Sequence, residues 1–126
     1  ENQKDYQYLQ DELIDRFGEY PDQVAYLIEI GLVRAYLDAA FAELVERKND
    51  TIIVRFEKVS LKFFLTQDYF EAISKTNLKA RISDNQGKVE IIFDVRNKKD
   101  YEILEELKIF GQTFMEIKKR KEKKET

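Results

Sequence analysis

Residues 78–95 read LKARISDNQGKVEIIFDV, and this stretch decides the fold. Residues 85–87 favour a turn, and on both sides of them apolar side chains alternate with polar ones. The apolar positions are Leu78, Ala80 and Ile82 before the turn, and Val89, Ile91, Phe93 and Val95 after it. Because a period of two places alternate side chains on one face of a strand, the stretch predicts a β-hairpin with one buried face.

A second hairpin is predicted upstream of the first. Residues 51–56 are rich in β-branched side chains and follow a polar turn at residues 47–50, which favours two short paired strands. Between the two hairpins, Thr66 is predicted to cap a short helix over residues 67–75.

Helical spacing dominates both ends of the chain. Residues 4–17 predict an amphipathic helix that ends at Gly18, and residues from about 98 onward predict a closing helix. The apolar stripe of the first is Tyr6, Leu9, Leu13 and Phe17; that of the last is Tyr101, Leu104, Leu107, Ile109, Phe110, Phe114 and Ile117.

A long second helix is predicted to begin at Pro21 and Asp22, since proline suits a first helical turn and an acid suits the positive end of the helix dipole. Apolar residues occupy more than one of its faces: Val24, Leu27, Ile28, Leu32 and Ala35 on one, and Tyr26, Ile30, Val33 and Leu37 on others. We therefore expect this helix to be enclosed on most sides, with an end between residues 38 and 42.

The predicted order is α-α-β-β-α-β-β-α, which favours an α+β fold with a mainly antiparallel sheet packed against helices. With 126 residues the chain has the size of one compact domain, so residues 1–126 are expected to form a single domain. The basic stretch 118–126 is expected to be a frayed tail.

Composition excludes several kinds of chemistry for this chain. It has no cysteine and no histidine, so disulfides, thiolate nucleophiles, Cys/His zinc sites and imidazole bases are excluded. No phosphate-binding glycine loop, nucleophile elbow or metal-ligand spacing is present, so no catalytic, cofactor-binding or metal-binding residue is predicted. Without a membrane-length apolar run or a signal peptide, the expected compartment is the cytoplasm, with no membrane partner.

Charge is unevenly distributed along the chain. Residues 1–30 hold eight acids against Lys4 and Arg16, a net charge of −6, while residues 116–126 carry +3. In the predicted first helix Glu12, Asp15 and Arg16 form one polar patch opposite the apolar stripe. An exposed Glu12 to Arg16 pair with solvated neighbours would explain the patch, but closely spaced acids repel one another, and a basic partner would relieve that repulsion.

Residues 12–24 read ELIDRFGEYPDQV and are followed by Leu27 and Ile28. This motif resembles the start of the C-terminal domain of bacterial transcription-repair coupling factors, in which an acid-Leu-x-Asp-Arg-Phe-Gly segment precedes Pro-x-x-Val and a leucine-rich helix. The rest of the chain resembles that domain in its pattern of strands and helices. One departure is Phe41, near which the family often has glycine.

The resemblance implies a regulatory interaction domain of a larger, ATP-dependent DNA translocase. It implies that Glu12, Asp15, Arg16 and Glu19 pack against the N-terminal repair-recruiting domain of the same protein and mask its surface for the damage-recognition ATPase of nucleotide excision repair. Contacts with RNA polymerase and double-stranded DNA, and the ATP and Mg²⁺ of the motor, would belong to the parent protein; no cofactor is expected in this domain.

An autonomous module that binds a protein or nucleic acid is the alternative. The tail at residues 118–124 could contact phosphates, or simply complement the helix dipole. Phe63, Phe64 and Tyr69 could anchor an interface, or lie in the core. Asp68 and Glu71 could do acid/base work, although Asp68 also fits a helix N-terminus.

Overall fold

The computed structural model describes residues 22–125, so the predicted first helix and the residues Glu12, Asp15, Arg16 and Glu19 lie outside the described part. Within it the order is α-β-β-α-β-β-α, which confirms the α+β class. The elements are α1 (Gln23–Ala39), β1 (Ala42–Lys48), β2 (Thr51–Phe56), a 3₁₀ helix (Lys58–Lys62), α2 (Thr66–Ser74), β3 (Lys79–Asn85), β4 (Lys88–Asp94) and α3 (Asp100–Glu125).

The four strands form one antiparallel sheet in the order β1-β2-β4-β3. Both predicted hairpins are confirmed, and β2 joins them by pairing with β4. The two-residue loop of the second hairpin places Gln86 and Gly87 at φ 54° and 87°. Two consecutive left-handed residues match the twist of the flanking strands, which explains why the chain turns here.

The core lies between the helices and one face of the sheet. Alternate strand residues, including Ile52, Val54, Ile91 and Phe93, are fully buried on that face. Aromatic rings fill the space toward α3: Phe93 and Phe110 meet edge to face with centroids 5.1 Å apart. The same cluster contains Phe56, Phe64, Tyr69 and Phe114.

Among the described residues, helix α1 is buried on one side, and the expectation that it is enclosed on most sides stays a prediction. Its buried residues are Tyr26, Ile30, Val33 and Leu37. The side chains of Val24, Leu27, Ile28 and Leu32 are 71%, 49%, 58% and 37% exposed. Because a helix turns about 100° per residue, the two sets lie on opposite sides, and the described part of the fold covers one of them.

Phe41 ends α1 in the left-handed backbone region, with φ of 69°. Its amide donates to the carbonyl of Asp38. Its carbonyl accepts from the amide of Glu57, the residue that follows β2. This is the position after a helix at which glycine is favoured, because a side chain there is strained. The structure thus places the end of α1 at Ala39, within the predicted interval.

Helix α2 begins at Thr66 and ends at Ser74, one residue earlier than predicted at each end, and Leu65 rather than Thr66 is its N-cap. The reason is Asp68, whose carboxylate accepts a hydrogen bond of 2.8 Å from the amide of Leu65. A carboxylate at the third helical position thereby satisfies the amide of the N-cap residue, which is one half of a capping box.

Candidate interaction surfaces

An acidic groove lies between the first turns of α1 and α3. The two helices run side by side in the same direction: Glu29 contacts Lys108, and the carbonyl of Ala39 accepts from Lys118 farther along. Their N-termini therefore meet at one end of the domain, where the groove encloses about 600 Å³. Its lining consists of Asp22, Glu29, Glu102, Glu105 and Glu106, with Ala25, Tyr26, Tyr101 and Leu104.

Most of these carboxylates also hold the local structure together. Asp22 caps α1 by accepting from the amide of Ala25 at 3.0 Å. Glu102 accepts from the amide of Lys99 at 2.8 Å, and Glu106 from the amide of Asn77 at 3.0 Å. Such bonds leave each carboxylate with further acceptor sites, so the groove remains strongly acidic.

Glu29 pairs with Lys108, and this hydrogen bond raises the pKa of Lys108 despite the opposing effect of burial. Glu105 lies farther from the same ammonium, at 3.4 Å, and its side chain is 52% exposed. Glu105 is therefore the groove carboxylate best placed to meet a cationic partner.

The sequence-predicted site residues Glu12, Asp15, Arg16 and Glu19 precede this groove in the chain and lie outside the described residues. Glu102, Glu105 and Glu106 were not predicted as part of any site. The sequence does show several acids at the start of the closing helix. Acids are favoured there by the helix dipole, so the pattern alone does not indicate a binding site.

A second, cationic cleft of about 640 Å³ lies on the sheet face turned away from the core. The register aligns Lys48, Thr51, Asp94 and Lys79 in one row across the four strands. Arg81 and Arg96 extend the positive charge, although Arg96 pairs with Asp94 at 3.2 Å. Hydrogen bonds from the amide and side chain of Arg96 lower the pKa of Asp94.

The basic C-terminal stretch continues α3 as far as Glu125, and its cations Lys118, Arg120 and Lys121 contact other elements of the domain. Lys118 donates to the carbonyl of Ala39 and lies 5.3 Å from the ring centre of Phe41. Arg120 binds both carboxylate oxygens of Glu71, at 2.8 and 2.9 Å. The Arg120–Glu71 pair and the helix dipole both explain the basic residues of this stretch without a nucleic-acid ligand.

Asp68 and Glu71, the carboxylates considered for acid/base chemistry, are both engaged within the fold. Lys121 lies 2.7 Å from Asp68, which already accepts from the amide of Leu65. The carboxylate of Glu71 forms an ion pair with the guanidinium of Arg120. Their arrangement is that of a helix cap and an ion pair between α2 and α3.

Two of the three aromatic residues considered as interface anchors belong to the core. Phe64 and Tyr69 are each 1% exposed, and the Tyr69 hydroxyl hydrogen-bonds to Ser60. Burial raises the pKa of this tyrosine. Phe63 remains 46% exposed and stacks on Phe41 with centroids 5.0 Å apart.

No group of three or more acidic side chains in the described range is arranged to hold a metal ion. Between residues 22 and 125, no helix is long and apolar enough to cross a membrane. The fold and surfaces define a class: a small antiparallel α+β domain with an acidic groove on its helical layer and a cationic cleft on its open sheet face.

Comparison with known proteins narrows that class. The model of the TRCF domain family matches residues 1–63, half of the chain, and the chain belongs to this family. It is similar to a solved structure, described as the C-terminal domain of transcription-repair coupling factor, with 63% sequence identity and a TM-score of 0.76 over 92% of this chain and 72% of that one.

The transcription-repair-coupling factor of Bacillus subtilis (strain 168) is 41% identical over 44 residues, which cover 35% of this chain and 4% of that protein. The chain thus corresponds to the C-terminal domain of a transcription-repair coupling factor and spans a small part of its full-length relative.

Proposed function

We propose that the domain is a non-catalytic regulatory module that docks on the N-terminal repair-recruiting domain of its own coupling factor. Docking through Glu12, Asp15, Arg16 and Glu19 covers the surface that recruits the damage-recognition ATPase of nucleotide excision repair. The parent protein then acts as the ATP-dependent translocase that meets stalled RNA polymerase on double-stranded DNA, and its ATP and Mg²⁺ are bound outside this domain.

The acidic groove is the observation that best supports this proposal. Residues 12–19, which carry the predicted patch, end three residues before Asp22, and Asp22 lines the groove, so acidic residues are concentrated in this part of the sequence. Five carboxylates beside the half-exposed Tyr101 suit a partner that offers arginines next to an apolar side chain. Complementary charge of this kind favours one partner and one orientation.

Such a contact works as a clamp with two states. While the acidic surface is docked, the recruiting surface is covered; when the parent protein engages polymerase, the domain swings away. Tethering within one chain keeps the local concentration of the partner high, so modest intrinsic affinity is sufficient for the closed state. An interface of modest affinity separates more easily than two segments that share one hydrophobic core.

Calorimetric titration of this domain with the N-terminal domain of the same coupling factor tests the proposal. The unaltered domain should bind, and the double variant Glu12→Lys/Asp15→Lys should bind at least about tenfold more weakly, because each reversal places like charges together. Glu105→Lys should also weaken binding if the groove belongs to the interface.

Glu116→Lys provides a matched control, since Glu116 is an exposed acid on the same helix about 17 Å from Glu105 along its axis. It should bind as the unaltered domain does. Equal weakening by Glu105→Lys and Glu116→Lys would indicate a general charge effect. Absence of binding at millimolar concentration would reject the acidic surface as the docking site.

The cationic cleft favours the second candidate, a module that binds nucleic acid. Lys48, Lys79 and Arg81 are exposed around it, and such residues bind phosphates without sequence preference. Filter binding with duplex and single-stranded DNA at two salt concentrations tests this function. Salt-dependent binding that Lys79→Glu/Arg81→Glu abolishes would support it; no binding at low salt would reject it.

A further inference from the structure

The 3₁₀ helix and the start of α2 place several large apolar side chains on the surface. Four of those between residues 61 and 70 are each about half exposed: Leu61, Phe63, Leu65 and Phe70. Their neighbours Ser60 and Phe64 are buried, so the stretch is well anchored to the core. A single exposed apolar residue is ordinary, but several within one short stretch are typical of a surface that binds a partner.

Contacts with α1 and α3 connect two of these side chains to a basic aromatic surface, which consists of Phe41, Phe63, Leu65, Lys118 and Lys121. The ring of Phe63 stacks on Phe41, and the Lys118 ammonium lies 5.3 Å from the centre of the Phe41 ring. Lys118 and Lys121 are three residues apart on α3 and therefore lie on one side of that helix. Lys121 and Leu65 both line a notch of about 290 Å³ between α2 and α3. These contacts join the five residues into one surface, which extends from the end of α1 to the start of α2.

Positive charge dominates around the basic aromatic surface. The notch lining has more cations than carboxylates: Arg120, Lys121 and Lys124 against Asp68 and Glu71. Each of the two carboxylates forms an ion pair within the domain. Lys62, which is exposed beside Phe63 in the chain, adds a further positive charge. Charge complementarity therefore favours a partner that carries carboxylates of its own.

We propose that the basic aromatic surface binds an acidic protein segment that carries at least one large apolar side chain. The apolar side chain of the partner packs on Phe63 and Leu65, and its carboxylates meet Lys62 and Lys124. This surface is distinct from the acidic groove, because Lys121 lies about 24 Å from Glu105 along α3. The inference goes beyond the regulatory proposal and does not depend on it.

The shape and lining of the notch favour a protein segment over a nucleic acid or a membrane. A concave notch accepts a single protruding side chain, whereas a bilayer presents a broad surface. Asp68 and Glu71 on the wall of the notch would repel the phosphates of a nucleic acid. The ring of Phe63 is stacked on Phe41, so one of its faces is not accessible to a base. A peptide can place its carboxylates beside the lysines and uncharged atoms beside the wall.

Selection from a phage-displayed library of random peptides on the whole 126-residue chain tests the proposal. We expect one group of enriched peptides to be acidic and to contain a large apolar residue such as Leu or Phe. A synthetic copy of such a peptide should shift the amide resonances of residues 61–65 and 118–124 in the isotope-labelled chain. Basic peptides whose binding Glu105→Lys weakens would report on the acidic groove, so the two proposals can fail separately.

Charge reversal tests the role of the lysines. Lys62→Glu/Lys124→Glu should weaken the binding of an enriched acidic peptide at least about tenfold, because attraction becomes repulsion at two positions. Lys75→Glu/Lys98→Glu is the matched control, since it makes the same change in net charge at two exposed lysines outside the surface. The control variant should bind the peptide as the unaltered chain does.

Removal of an apolar side chain tests the other half of the surface. Phe63→Ser should weaken binding of the same peptide about tenfold, because the apolar side chain of the partner loses its contact. Val24→Ser is the control, since Val24 is an exposed apolar residue at the other end of α1 from Phe41. It should leave the affinity unchanged.

Acidic apolar peptides whose binding depends on Lys62, Lys124 and Phe63 would support the inference. It would be overturned if the selection enriched no acidic peptide, or if both double variants weakened binding equally. Phosphatidylserine vesicles and duplex DNA serve as alternative probes in sedimentation and filter-binding assays. If one of them bound the unaltered chain and lost that binding in Lys62→Glu/Lys124→Glu, while no acidic peptide was enriched, the surface would belong to a membrane or a nucleic acid instead.

Discussion

Gly111 of α3 lies so close to Tyr36 of α1 that a Cβ added to the glycine would be 2.6 Å from the tyrosine Cβ. The two helices can touch at this level only because residue 111 has no side chain. Alanine improves helix propensity by about 1 kcal/mol, but overpacking costs about 1 to 3 kcal/mol. Gly111→Ala should therefore lower the free energy of unfolding in urea by about 1 kcal/mol.

Gln112→Ala is the control for that measurement, because Gln112 is exposed on the next position of the same helix. It should change the free energy of unfolding by less than about 0.5 kcal/mol. If the Gly111→Ala protein were as stable as the unaltered one, α1 and α3 would be able to shift apart slightly with no loss in the free energy of unfolding.

Phe41 combines backbone strain with favourable ring contacts. Its left-handed φ costs about 1 to 2 kcal/mol, whereas stacking on Phe63 contributes about 0.5 to 1.5 kcal/mol beyond burial. Phe41→Gly should relieve the strain and lose the contact. Phe63→Ala should then cost about 1 kcal/mol more in the unaltered chain than in the Phe41→Gly background, as a double-mutant cycle of urea unfolding would measure. Equal costs in both backgrounds would contradict the coupling.

The hairpins and the closing helix were predictable because their patterns are local. Residues 78–95 alternate between apolar and polar side chains around a Gln-Gly turn, with Ile92 as an exception, and the structure confirms the hairpin. The pairing of β2 with β4 was not predictable, since it depends on which strand edges meet across the 31 residues, 57–87, that separate the two strands. Nor could the sequence tell which apolar face of α1 enters the core, because both faces have helical spacing.

The candidate surfaces also differ in whether local sequence patterns predict them. The motif at residues 12–24 indicated the family directly, and the family model confirms it. The groove was missed because Glu102, Glu105 and Glu106 lie about 80 residues from Asp22 and meet it only when α1 and α3 align. The partners of Arg120 and Lys121 were missed for the same reason: charges on one helix do not identify their partners on another.

Glu90 should make stability depend on pH on the acid side. Burial opposes its charge, but hydrogen bonds from Asn85 at 2.8 Å and Arg55 at 2.7 Å outweigh burial and lower its pKa. A carboxyl whose pKa is lower in the folded state stabilises the fold above its unfolded pKa, near 4.5, and loses this contribution as the pH falls through the folded value.

Glu90→Gln should therefore cost about 1 kcal/mol at pH 7 and flatten the loss of stability below pH 4.5, measured by urea unfolding across pH. Glu116→Gln, at an exposed acid, is the control and should preserve the acid slope. An unchanged slope in Glu90→Gln would place the acid sensitivity elsewhere.

The carboxylate of Asp68 takes part in both a helix cap and an ion pair. It accepts a hydrogen bond from the amide of Leu65 and contacts Lys121, and the Asp68 side chain is only 8% exposed. Asp68→Ala should lower the free energy of unfolding by about 2 kcal/mol, because it removes the cap and the pair together. Lys121→Ala should cost about 1 kcal/mol by leaving a largely buried charge without this partner. The double variant should cost no more than Asp68→Ala alone, because the lysine has no role once the carboxylate is gone. Additive losses would mean instead that Lys121 stabilises the fold independently, and would leave its charge free to meet an external phosphate.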